Sequence, residues 1–155
     1  MRGGQRGVTL IEILIIVTLL VVMAGVAMPW FLGVIESYRL RVAAWELAGD
    51  LRLARQKAVT TQVRHRICLS GCDSPVPKGG YLLEREEAPL WKLDVVRADL
   101  PDGIAISDNA GGKFTFEARG GVNGGTTTLT NETGSFQVVA APSGRVRVCK
   151  VGDCP

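Results

Sequence analysis

Arg145 and Arg147, with Lys150 just beyond them, are the residues of this chain best suited to holding an anion. Residues two apart share a face of a strand. Both guanidinium groups would then project to one side while Val146 and Val148 pack inward, and Lys150 is read as continuing the row. A row of cations can track phosphates and release their counterions, and arginine adds a planar fork that fits phosphate oxygens. Arg64-His65-Arg66 alternates in the same way, so Arg64 and Arg66 would extend the patch if their strand lay nearby. A merely solvated strand face is the alternative that alternation alone cannot separate.

Other reactive groups are sparse. Glu12 stands near the start of a long apolar segment, and no charge follows it from Ile13 to Ile35. A carboxylate at that depth is costly in lipid and asks for a partner. Cys68, Cys72, Cys149 and Cys154 allow three pairings. Cys68–Cys72 and Cys149–Cys154 are preferred because each closes a short local loop. A zinc site competes poorly, since the spacings are loose and His65 is the only histidine. No nucleophile–base set and no carboxylate pair stands out, so neither enzyme activity nor a cofactor is expected. The glycine-rich run 120–126 lacks the Gly-Lys-Ser/Thr ending of a phosphate loop and reads as a flexible turn. Asn131-Glu132-Thr133 matches a glycosylation acceptor of a kind frequent by chance. Trp30, Trp45 and Trp91 suit an interfacial anchor and core positions better than a base-stacking platform.

The elements that carry these groups follow from periodicity. The span Ile13 to Ile35 is long enough to cross a bilayer, which takes roughly 20 residues. Arg2 and Arg6 precede it, and the positive-inside rule keeps them in the cytoplasm with the remainder outside. Disulfides persist in such a compartment. Past Pro29, Leu40, Ala44, Leu47, Leu51, Ala54 and Ala58 recur as one stripe of a helix ending near Val59-Thr60-Thr61, with Arg39, Arg41, Glu46, Asp50, Arg52 and Lys57 on the solvated side. Gly25 and Pro29 mark where that helix should kink or locally melt. Strands are expected at 63–69, 81–84, 90–96, 113–117, 126–130, 135–140 and 145–150, short runs rich in Val, Thr and aromatics between turn residues. The fold class is α+β: a long N-terminal helix, half membrane and half amphipathic, packed on an antiparallel β-sheet domain. Net charge is +3, falling to +1 if Arg2 and Arg6 are removed, so polyanion binding would have to be local.

Gly7-Val8-Thr9-Leu10-Ile11-Glu12 resembles the leader junction of type IV prepilins and type II secretion pseudopilins. The resemblance implies cleavage by prepilin peptidase between Gly7 and Val8, N-methylation of Val8, and Glu12 as the filament-assembly residue, paired with the new N-terminal amine. The family's helix-breaking proline falls on Pro29. The division implied is a leader at 1–7, a transmembrane and filament-core helix at 8–36, an amphipathic helix at 37–62 and a β-rich globular domain at 63–155. Leu51-Arg52-Leu53-Ala54-Arg55-Gln56-Lys57-Ala58 resembles the helix end of the GspH/FimT group of pseudopilins and minor pilins. Ser143-Gly144-Arg145-Val146-Arg147 resembles the Gly-Arg-x-Arg terminal strand of the same group. Some members of that group bind DNA during natural transformation through that motif, so the resemblance implies double-stranded DNA as a ligand of Arg145 and Arg147. The implied partners are the peptidase, other major and minor pilins, the inner membrane before assembly, and DNA. A structural minor pilin or GspH-like pseudopilin is the alternative.

Overall fold

A computed structural model describes residues 7–70, 72–77, 79–97, 100–109 and 111–154. The leader residues before Gly7, and the side chains of Pro29 and Trp30, lie outside the described residues. One helix, α1, runs from Leu10 to Thr61. Thr9 caps it, its Oγ1 accepting the Glu12 N–H at 3.3 Å, which is half of a Thr-x-x-Glu capping box. The backbone is helical through Gly25 and Pro29, so the expected local melting is absent. A proline forfeits one helical hydrogen bond, and the flanking turns carry the element across that gap. At the other end the Thr60 and Thr61 hydroxyls donate back to the Gln56 and Lys57 carbonyls. Gln62 then adopts a φ of 56°, the left-handed conformation that commonly closes a helix.

The chain forms two compact units, 1–35 and 36–155. In the first, the described side chains from Val8 to Val34 are exposed. Leu10–Met28, 19 residues, is long and apolar enough to cross a membrane. At helical rise it spans about 28 Å, against roughly 30 Å of bilayer hydrocarbon.

Among its described residues the second unit holds the rest of the helix and eight strands. These are β1 (His65–Cys68), β2 (Tyr81–Glu87), β3 (Leu90–Arg97), β4 (Ala105–Asp108), β5 (Lys113–Phe116), β6 (Gly125–Asn131), β7 (Gly134–Ala140) and β8 (Val146–Lys150). They build two antiparallel sheets in the orders β3-β2-β1-β5 and β4-β6-β7-β8. The helix stripe is buried as its spacing requires: Leu40, Ala44, Leu47, Leu51, Ala54 and Ala58 join one core cluster with Ile67, Leu83, Phe114 and Phe116 of the first sheet and Leu129, Val138, Ala140 and Val146 of the second. Alanines on that stripe let both sheets approach the helix backbone, while the leucines supply the bulk of the apolar burial, roughly 1.5–3 kcal/mol each.

Two expectations need correction here. Asp50 was assigned to the solvated face, yet it is buried and accepts the Tyr81 hydroxyl at 2.6 Å. Trp45 was assigned to the core, yet it is 49% exposed, with the Arg52 guanidinium 6.0 Å from its ring centre. The cysteines pair as expected, Cys68 with Cys72 and Cys149 with Cys154.

Candidate functional site

Among the described residues, strand β8 is the edge of its sheet and pairs only with β7. Its register sets Val146 opposite Ala140 and Val148 opposite Val138, so both valines face the core cluster. Arg147 therefore projects outward. Arg145 lies one residue before the strand, where its carbonyl accepts the Ala141 N–H at 2.9 Å, and it is exposed as well. The pair shares a face, as alternation requires. Lys150 does not extend that row. It is three residues from Arg147, an odd step, which puts it on the side of Val146 and Val148; it is exposed because the strand ends there.

Arg64 and Arg66 are not part of this face. Both precede or occupy β1, in the other sheet. Arg66 is 5% exposed. Its Nε donates to Glu84 Oε2 at 2.6 Å, its Nη2 to Asp73 Oδ2 at 3.0 Å, and its guanidinium lies 4.1 Å from the centre of the Trp91 ring. Arg66 and Glu84 are directly opposed across β1 and β2. Alternation misplaced Arg66 because β1 is an inner strand with both faces covered. Arg64 is exposed at 44% but bound to Glu86, with Glu117 3.9 Å away. His65 is buried, its Nδ1 at 2.9 Å from the Val63 carbonyl, which fits a packed core residue. Cys68, Cys72 and Glu84 converge within 4.8 Å, but the disulfide uses both sulfurs.

The Arg64–Glu86 bond has a measurable signature. Hydrogen bonding from Arg64 holds the Glu86 carboxyl below its ordinary range; burial opposes it less strongly, and the Arg64 charge adds a smaller lowering effect. A carboxyl lowered on folding adds stability that is present above its unfolded value and lost as pH falls through the folded one. Urea midpoints of the native protein should therefore drop below about pH 4, and the Arg64→Gln variant should show a shallower acid limb. Identical limbs would mean the bond contributes nothing in solution.

Among the described residues Arg145 and Arg147 carry no counter-ion, as is also true of Arg39, Arg41, Arg52, Arg55, Lys113, Arg119 and Lys150, whereas Lys57, Arg64, Arg66, Arg85 and Lys92 all form ion pairs. What sets the pair apart is that it alternates on one exposed edge segment. Two helix arginines reach the same segment: Arg52, expected on the solvated face, and Arg55, expected only as part of the helix-end motif. Arg55 donates from Nε to the Gly120 carbonyl at 3.1 Å and from Nη2 to the Ser143 carbonyl at 3.5 Å. Arg52 donates from Nη2 to the Val146 carbonyl at 3.2 Å. Gly144 sits inside this junction at φ +80°, and a Cβ there would overlap the Gly120 carbonyl oxygen and lie 2.6 Å from Arg55 Nε. The helix-end motif and the terminal-strand motif are thus two sides of one contact. The signal was present in the sequence, but nothing local in either segment says that they meet.

Comparison with known proteins identifies the fold. The chain resembles the type IV minor pilin FimU of Pseudomonas aeruginosa, with a TM-score of 0.62 at 18% identity over 77% of this chain and 95% of that one. It resembles the minor pseudopilin EpsH of the type 2 secretion system of Vibrio cholerae equally well, with a TM-score of 0.62 at 14% identity over 74% of this chain and 99% of that one. A search of curated proteins found no match. Residues 43–149, which contain both motifs and most of the core, match the family described as type II transport protein GspH. The chain belongs to the GspH family and has the type IV pilin-like fold shared by minor pilins and pseudopilins.

Proposed function

We propose that this protein is a minor type IV pilin, placed near the filament tip, that captures extracellular double-stranded DNA for uptake in natural transformation. The observation that carries the reading is the unneutralised pair Arg145 and Arg147 on an exposed edge segment, in a domain whose other strand-borne arginines outside β3 are ion-paired. Exposed guanidinium groups without carboxylate partners are free to replace phosphate counterions. Such contacts carry no base information, so binding is sequence-independent. Glu12, exposed at the start of the uncharged stretch Ile13 to Ile35, serves assembly by pairing with the amine that cleavage after Gly7 would create at Val8. Before assembly the Leu10–Met28 span anchors the chain in the inner membrane, and prepilin peptidase releases the leader and methylates Val8. No catalytic role is assigned.

The alternative is an assembly-only subunit, such as a pseudopilin of a type II secretion system, and the family description and the EpsH likeness favour it. A gel shift separates the two. The fragment Glu36–Pro155 retains every residue of the core cluster. It should retard a short duplex of arbitrary sequence at low salt. Arg145→Gln/Arg147→Gln should weaken binding about 100-fold, on the basis of two charge-assisted contacts at about 1.4 kcal/mol each. No shift, or a shift the double variant leaves unchanged, sinks the DNA reading. The assembly role is tested separately: Glu12→Leu chains should be processed but missing from sheared filaments, and their presence there at normal levels would exclude it.

A further inference from the structure

We infer that Arg52 and Arg55, on the helix, belong to the same phosphate-binding face as Arg145 and Arg147; this rests on the DNA reading and extends it to a second element. Four guanidinium groups surround residues 143–147. Arg52 bonds the carbonyl of Val146, the residue between the two strand arginines, and Arg55 bonds the carbonyl of Ser143, two residues before Arg145. All four are exposed, and among the described residues none has a carboxylate partner. Glu117 is the carboxylate nearest in sequence to the Gly120 contact, and it leans towards Arg64 instead.

A brace to a carbonyl does not neutralise a guanidinium. Carbonyl oxygens accept a hydrogen bond but carry no net charge, so Arg52 and Arg55 keep theirs. Each guanidinium has five N–H donors. The bonds to carbonyls use one on Arg52 and two on Arg55, leaving the remainder for phosphate oxygens. Arg52 is further held by the ring of Trp45, two helical turns earlier on the same side. Groups already fixed lose little side-chain freedom when a ligand arrives. The same three bonds that tie the helix to Gly120 and to the terminal segment therefore also set the spacing of a charged surface running from the strand onto the helix. Lys57 lies on a different side of the helix, where Asp94 of β3 pairs with it at 2.5 Å, and it serves as the contrast.

The salt dependence of binding tests this directly. Full-length chain in non-ionic detergent is titrated with a short DNA duplex across a range of salt concentrations. Each phosphate contact contributes about 0.9 to the slope of log affinity against log salt. Arg52→Gln and Arg55→Gln should each lower that slope by about 0.9 and weaken binding roughly tenfold at low salt. Arg55→Lys keeps the charge but not the fork, so it should keep the slope even where it costs thermal stability. Lys57→Gln removes a helix cation and should leave the slope unchanged. A slope untouched by Arg52→Gln and Arg55→Gln, in protein that still binds through Arg145 and Arg147, overturns this inference alone. Loss of slope in Arg55→Lys equal to that in Arg55→Gln also overturns it, because the effect would then come from bracing. A native chain that does not bind duplex at any salt overturns the DNA reading and this inference with it.

Discussion

Replacing Arg66 with leucine should cost the soluble unit about 3–5 kcal/mol, the range for breaking one partner out of a buried ion pair. At roughly 4 °C per kcal/mol for a domain of this size, its melting temperature should fall by about 12–20 °C. The asymmetry of the pair sharpens the expectation. Glu84 is 0% exposed and its Oε1 has no hydrogen-bond partner, so Arg66 is the cation that makes its burial tolerable. Without Arg66 the carboxylate is left with the contact of the Cys68 sulfur at 3.3 Å, which as part of a disulfide has no proton to donate. Glu84→Leu should be milder, because Arg66 would keep Asp73 and the Trp91 ring. The double variant should be more stable than Arg66→Leu, since two apolar groups of similar volume leave no uncompensated charge. Thermal melts of the three variants measure all of this. The same protein, assayed below its melting temperature, should keep the full salt slope for DNA. An unchanged melting temperature with a reduced slope would mean Arg66 is a ligand-binding residue after all.

That contrast shows what a sequence can and cannot say about a charged residue. Periodicity located Leu40 through Ala58 because a stripe at 3.6 residues has one interpretation once a core is needed, and those positions are buried. It failed for Arg66 because period 2 assumes a strand with one wet face, and β1 has both faces covered. It failed for Asp50 because a helix wheel records which way a side chain leaves the axis, not that Tyr81 arrives from another element to meet it. β4 went unread because Ala105–Asp108 is only four residues long and buries neither face fully. The antiparallel β domain was legible but its division into two sheets and their strand order were not, since pairing order depends on contacts between strands far apart in the chain. The candidate site was half legible. Arg145 and Arg147 alternate visibly, while Arg52 and Arg55 were recognisable as part of a motif but not as neighbours of the strand.

Gly144→Ala should be the most damaging single change at that junction, at about 3 kcal/mol. Two costs combine. An alanine held at φ +80° is strained by roughly 1–3 kcal/mol. Its Cβ also overlaps the Gly120 carbonyl oxygen and crowds Arg55 Nε, and overpacking of this kind adds about 1–3 kcal/mol where the neighbour cannot move. Gly103 separates the two costs, because its φ is +86° and a Cβ there meets nothing within 4 Å. Gly103→Ala should therefore show the backbone cost alone, and the difference between the two variants in urea midpoint measures the contact. Arg55→Ala should not rescue Gly144→Ala, since the Gly120 oxygen belongs to the backbone and cannot rotate away as a side chain can. If the chain relieves the overlap instead by opening the turn, the Arg55 bonds to Gly120 and Ser143 separate and Arg145 moves with them. DNA affinity should then fall in Gly144→Ala but not in Gly103→Ala, although neither substitution removes a charge. Equal losses of stability in the two variants, with DNA affinity intact in both, would mean that the glycine of the Gly-Arg-x-Arg segment supplies only a backbone conformation and that the helix does not position the strand arginines.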